Sequence, residues 1–429
     1  MTQATITGAP TIPVKARHVA AVAAGNALEF YDFLTYAFFA AQIGRTFFPS
    51  HDATGSLLAA LATFGAGFLM RPVGAFVIGR LGDRLGRKPA MLLTFGLMGG
   101  AMVVLTVIPS YAMIGIAAPI LVIVCRLLQG FALGGEVGPS TAYMAEAAPP
   151  GRRGLFVSMQ GVGQNVAVLS SGIIGFTLSN ILSDAQLDAF GWRIAFAIGA
   201  LIIPFGIILR RDLAETLHTD HHEDDPPSAK SLHGPLGRLA LLGVMMLAGG
   251  TTVTYVLNYL TTYATSTLHM ATSIGFTATI TQGVCGLIFG PISGLLSDRF
   301  GRKPVMMAPW TVLIFITIPA FYLISHNRNV GTLIAMTAVL AISASLATPA
   351  VLAALTEMLP RSMRSGGLGM IYAVAISIFG GSTQYAVALL TSVTHSNLAP
   401  AWYMTGGVIV ALIAMTLFPE TSPRHRRKT

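Results

Sequence analysis

Charge is what this chain has least of. Asp, Glu, Lys and Arg make up 10% of its 429 residues, against about 25% in a soluble globular domain. So little charge excludes an ordinary water-soluble surface. Cysteine is nearly missing as well. Cys125 and Cys285 are the two, each inside an apolar run, which excludes a disulfide framework and leaves small apolar packing as their role. There is no GxxxxGK[ST] loop, so the chain carries no P-loop of its own for ATP. Nothing is arranged as a catalytic triad or as a metal cluster. An enzyme is not expected, nor a cofactor or a metal.

What the chain has is apolar length. Hydrophobic residues make up 53%, in runs of about 20 residues, the length of a membrane-crossing helix. Twelve runs can be counted, at roughly 18–39, 55–80, 90–109, 113–145, 155–182, 190–209, 238–264, 272–296, 304–325, 331–358, 366–393 and 400–418. The first continues into a full span without a small-residue cleavage site, so it reads as a retained helix and not a secretory signal. The fold class expected is an all-α membrane protein of twelve transmembrane helices.

The net charge of +9 is a topology signal. Arg80, Arg84, Arg87, Lys88, Arg152, Arg153, Arg210, Arg211, Arg299, Arg302, Lys303, Arg361, Arg364 and the basic tail fall on one side of the spans, against Arg45 and Arg328 on the other. The positive-inside rule then puts both termini in the cytoplasm. No nucleic-acid partner is implied. The polar stretch between spans six and seven, with HTDHHEDDPPSAK inside it, reads as a solvated linker. It divides the chain into a bundle over 1–209, a linker over 210–237 and a bundle over 238–429.

The two halves repeat each other. GRLGDRLGRKP at 79–89 is matched by GLLSDRFGRKP at 294–304, and YMAEAAPPGRRG by ALTEMLPRSMRSG, pairing Glu146 with Glu357 and Arg153 with Arg364. Repeats at matching places mean two homologous six-helix halves, an architecture that binds substrate near the bilayer midplane where the halves meet. In the repeated loops, Asp83 with Arg87 and Asp298 with Arg302 read as latches: a carboxylate near a neighbouring helix N-terminus, with a cation pair, can hold the halves closed. Simple anchoring by the basic residues would explain the cations but not the repeated Asp.

Charges within the spans are few and confined to the first half: Glu29 and Asp32 in span one, Arg71 in span two, Arg126 and Glu136 in span four. Ionisable groups at that depth are costly and functional by default. At about 1.5 Å per residue, Arg126 falls at a depth comparable with Glu29 and Asp32. Arg126 reads as an anion clamp, able to grip a carboxylate through two parallel hydrogen bonds, or as a structural partner for one of the two acids. Asp32 and Glu29 read as proton carriers, Asp32 first; three residues apart, they share a helix face. Arg71 and Glu136 read as a structural ion pair, and Pro72 frees a backbone carbonyl and allows a bend. Polar candidates for ligand contact are Asn26, Tyr31, Asn165, Tyr255, Asn258 and Gln384.

GRLGDRLGRKP resembles the loop between the second and third helices of the major facilitator superfamily, and RLLQG at 126–130 resembles its fourth-helix motif. GNALEFYDF (25–33), GFLMRPVGA (67–75), RLLQGFALGGEVG (126–138), GWRIAFAIGA (191–200) and IFGGSTQY (378–385) together resemble the metabolite:proton symporter family. That family includes citrate, α-ketoglutarate, shikimate and proline/betaine carriers. FFPS and the ending FPETSP are most similar to the citrate members. The resemblance implies a multi-pass protein of the bacterial inner membrane, working as a monomer. Its partners would be protons and a small carboxylate, its mechanism alternating access; a zwitterion, shikimate or a non-transporting sensor role are the alternatives.

Overall fold

The computed structural model describes Ala27 and residues 30–85, 87–134, 141, 144–145, 148–149, 151–211, 235–359 and 364–422. Among these the secondary structure is helical throughout, with no strand. The helices are α1 (30–38), α2 (Ala40–Phe47), α3 (Ala53–Leu69), α4 (Arg71–Leu85), α5 (Arg87–Val107), α6 (Ala117–Leu133), α7 (Arg153–Ile181) and α8 (Trp192–Arg211). After the interval to residue 235 come α9 (Pro235–Thr262), α10 (Thr272–Phe300), α11 (Arg302–His326), α12 (Val330–Met358), α13 (Arg364–Ala375), α14 (Gly381–Thr394) and α15 (Ala399–Leu417).

By length and composition, eight helical stretches among the described residues can cross a membrane, and two shorter apolar ones, Leu92–Val107 and Ala117–Leu133, accompany them. Large apolar side chains such as Leu69, Met113, Ile181, Leu201 and Phe315 point outward, as lipid-facing residues must. Polar groups at the ends do the capping. Asp52 accepts from the Gly55 N–H, and Asn329 from Thr332, each occupying a donor that the first helical turn leaves free. Gly301, at φ +101°, separates α10 from α11 in a conformation that disfavours a side chain.

The apolar core has two main parts. One gathers Phe33, Phe64, Phe68, Trp192 and Phe196 of the first half; the other gathers Trp310, Phe321, Met404 and Val408 of the second. The halves touch closely through α7 against α10 and α3 against α14. A Cβ on Gly294 would lie 2.6 Å from the Gly154 carbonyl oxygen, and one on Gly381 2.9 Å from that of Gly65. Only glycine fits this approach.

Two irregularities also meet at this interface. The helical run from Ala53 is interrupted at Met70, and α4 opens with Arg71-Pro72. Pro72 has no N–H to give the Phe68 carbonyl four residues back. The Ser377 hydroxyl, from a π-helical turn at Ile376–Gly380 in the other half, donates to that carbonyl at 2.8 Å. The helix is interrupted at this point, and the freed carbonyl has a partner.

Candidate functional site

Among the described residues, three charged side chains are buried deep in the first half: Asp32 on α1, Arg71 on α4 and Arg126 on α6, exposed by 2%, 4% and 0%. Asp32 and Arg126 are joined through Gln129, which lies one turn beyond Arg126 on the same face of α6. Arg126 Nη1 donates to Gln129 Oε1 at 2.6 Å, and Gln129 Nε2 donates to Asp32 Oδ2 at 2.5 Å. Phe33, Tyr36 and Phe64 surround the guanidinium, its carbon 4.8, 4.4 and 5.5 Å from their ring centroids, so ring faces stabilise much of the cation.

The pairing is incomplete. Among the described residues, Asp32 Oδ1 and Arg126 Nε and Nη2 have no hydrogen-bond partner. Uncompensated buried charge costs several kcal/mol, and a structural ion pair would have closed these valences. What remains open is chemically useful: a guanidinium edge that can take a carboxylate, and a carboxylate oxygen that can take a proton.

Beside this group, a cavity of about 160 Å³ lies between the halves, with Leu34, Asn165, Tyr255, Asn258, Gln282 and Trp310 among its walls. Tyr255 faces both Arg71 and Arg126 from the second half. Asn258 accepts a 2.8 Å hydrogen bond from Gln282, whose own carbonyl oxygen is unpartnered. Asn165 donates to the Gly161 carbonyl. Gln384 is buried with both amide atoms unpartnered, away from the cavity wall. Tyr31 donates its hydroxyl to the Ala195 carbonyl inside its own half at 2.8 Å. Asn26, Glu29 and Glu136 lie outside the described residues, as do the side chains of Asp83 and Arg87.

The second-half loop is described in full, and Asp298 reaches across to the other half. Its two oxygens accept the N–H groups of Gly154 and Leu155, in the first turn of α7, at 2.8 and 3.0 Å. The acid is thus held by the N-terminus of a helix from the other half. Arg302 pairs with Asp298 at 2.8 Å and with Glu357 of α12 at 2.9 Å. Thr421 also donates to Glu357. Glu420 completes the cluster by accepting from the N–H groups of Arg302, Lys303, Thr421 and Ser422. Burial opposes charge on Glu420, but those four donors outweigh it and hold the carboxyl below the usual carboxylate range.

Sequence reasoning passed over three of these residues. Gln129 is the Q of RLLQG, three positions from Arg126, and that spacing was the available signal. Glu357 carried one in its echo of Glu146. Glu420, in FPETSP, had none that pointed to the start of α11.

Two family models match the chain: a sugar (and other) transporter model over residues 18–234 and a major facilitator superfamily model over 239–429. A citrate-proton symporter of Klebsiella pneumoniae is 34% identical over 92% of this chain and 89% of its own length. An α-ketoglutarate permease of Escherichia coli is 34% identical over 92% and 91%, and a proline/betaine transporter of the same species 33% identical over 95% and 84%. Among solved structures, the E. coli xylose transporter XylE in a partially occluded inward-open conformation superposes with a TM-score of 0.76, at 17% identity, over 94% of this chain and 98% of that one. The human organic anion transporter MFSD10 gives 0.63, at 16% identity, over 93% and 99%. With matching models over both halves and relatives of this identity along its length, the chain belongs to the major facilitator superfamily: it is a multi-pass membrane transporter, not an enzyme.

Proposed function

We propose that the protein is a proton-coupled symporter that takes up a small carboxylate, citrate or a related di- or tricarboxylate, by alternating access. In this reading twelve helices cross the membrane, both termini are cytoplasmic, and a linker at 210–237 joins bundles at 1–209 and 238–429. The single observation that carries it is the buried Asp32–Gln129–Arg126 chain with its open valences.

The cycle follows from charge. A proton on Asp32 cancels the one described negative charge at the site and leaves the arginines free to draw an anion. Proton and anion therefore each raise the affinity for the other, as linkage requires. Once both are bound, no net penalty opposes closing the halves around them, and the pair is carried across. Asp298 and Arg302, at the end read as cytoplasmic, hold that side shut until the halves rock; Asp83 and Arg87 are the matching pair in the first half. Glu29 is the second candidate for the proton, and Asn26, Tyr31, Asn165, Tyr255, Asn258 and Gln384 are candidate ligand contacts.

The proline/betaine relative at 33% identity supports a second reading, in which the substrate is a zwitterion and Asp32 meets its cationic end; shikimate is a third substrate class. A ligand sensor that does not transport is disfavoured by the cross-half Asp298 contacts, which a mobile pair of halves needs. Counterflow in proteoliposomes separates these. Exchange of labelled citrate, with accumulation driven by an inward pH gradient, is the expected result. Exchange of betaine alone would replace the substrate, and no exchange of any bound ligand would sink the carrier reading.

A further inference from the structure

Arg71 is the buried charge that this cycle leaves without a ligand. Among the described residues its Nε and Nη2 have no hydrogen-bond partner, and its guanidinium carbon lies 4.3 Å from the Phe68 ring centroid and 4.8 Å from that of Phe33. Arg126 stands 4.8 Å from the same Phe33 ring. The two guanidinium carbons are thus within about 10 Å of each other, and their charges repel. Together they present four unpartnered nitrogens, against one unpartnered oxygen on Asp32. Among the described residues the site is short of negative charge.

What faces Arg71 from the second half is neutral. The hydroxyls of Tyr255 and Tyr372 lie toward it, and both tyrosines also form part of the cavity wall. A phenol oxygen is a weak acceptor for a guanidinium; a carboxylate makes a charge-assisted pair about twice as strong.

We propose that Arg71 is a second anion-binding residue, so that the site takes a ligand with at least two carboxylates, one on Arg126 and one on Arg71. The proposal rests on the carboxylate symport reading above and specifies its substrate class. The Phe33 ring lies against both cations, so one small ligand can reach the two. Tyr255 holds the place of the second carboxylate and yields it when the ligand enters from the cavity. Since Tyr255 belongs to the other half, the ligand exchanges a link between halves for a link to itself, and occupancy biases how the halves sit. A monocarboxylate satisfies one cation and leaves the other buried and bare.

The test compares inhibition of citrate counterflow by unlabelled citrate, succinate and acetate, in proteoliposomes of wild type, Arg71→Gln, Arg71→Lys and Tyr255→Phe. Arg71→Gln should weaken citrate and succinate about tenfold or more and acetate less than about twofold, with Arg71→Lys between. Tyr255→Phe should strengthen citrate and succinate. Equal weakening of all three anions, or none, would overturn Arg71 as a second clamp while leaving the carrier reading intact. Wild-type exchange of betaine but of no carboxylate would overturn both. If Arg71→Gln does not fold, Tyr255→Phe decides alone: unchanged or weaker citrate binding removes the proposal.

Discussion

Asp32 and Arg126 meet through one shared amide and not as a direct ion pair: Gln129 accepts from the arginine and donates to the acid. An amide between opposite charges keeps them in register without closing the remaining valences of either one. That is the difference between a site that is finished and one that waits for a proton and an anion.

Removing the amide should therefore uncouple the two. Gln129→Leu leaves Asp32 Oδ2 and Arg126 Nη1 both unpaired in a buried setting, at a cost of about 1–3 kcal/mol each. Proton-driven citrate uptake is expected to fall at least about tenfold. Gln129→Glu should be tested beside it, since it restores one partner and repels the other. Normal accumulation ratios in Gln129→Leu would show that Asp32 and Arg126 work independently.

The two ends of the chain of hydrogen bonds should fail differently. Arg126→Ala is expected to abolish uptake and binding together, because the anion loses its clamp. Asp32→Asn mimics the protonated acid, so counterflow should survive while accumulation against a gradient stops. Uptake near wild type in the first variant, or pH-driven accumulation in the second, would move the role elsewhere, to Glu29 in the case of the proton.

Asp298→Ala removes the acceptor for two backbone N–H groups of the opposite half. Hydrogen bonds to a charged group are worth about 1.5–3 kcal/mol each, enough for even one of them to shift a balance between two conformations about tenfold or more. Spin-label distances across the α7 and α10 ends nearest Asp298 should lengthen, and ligand affinity should change little. A large loss of affinity with unchanged distances would contradict a latch.

Glu420 gives a pH signature. Its carboxyl is held below the ordinary value of 4.5 in the folded protein, so its stabilising effect is complete above that value and is lost as pH falls through the folded-state value. The gap in melting temperature between wild type and Glu420→Gln should be widest near neutral pH and close progressively below about pH 4.5. A gap that widens on acidification would have the wrong sign for this assignment.

Much of this site was legible because buried charge is conspicuous in an apolar chain. Asp32 and Arg126 could be matched in depth by counting residues from the span ends, and the helical geometry did bring them to one place. Asp298 drew notice because the loop repeats, and its contact with the opposite half is there. Gln129 was hidden by its neutrality: a glutamine in a helix signals nothing until its two neighbours in space are known. Glu420 was hidden for another reason, since capping the start of α11 from the end of α15 is a contact between distant segments that no local pattern records. Tyr31, one of the polar candidates for ligand contact, points into its own half, because orientation about a helix axis depends on packing that one sequence does not fix.

The break at Pro72 has a consequence for how the halves hold together. With proline at 72, the Phe68 carbonyl receives no bond from the residue four positions on, and the Ser377 hydroxyl reaches it from across the interface. A gap in one helix is thus the docking point of the other bundle. Pro72→Ala would give that oxygen a second donor from its own helix, so that Ser377 would share what it now takes in place of the missing N–H.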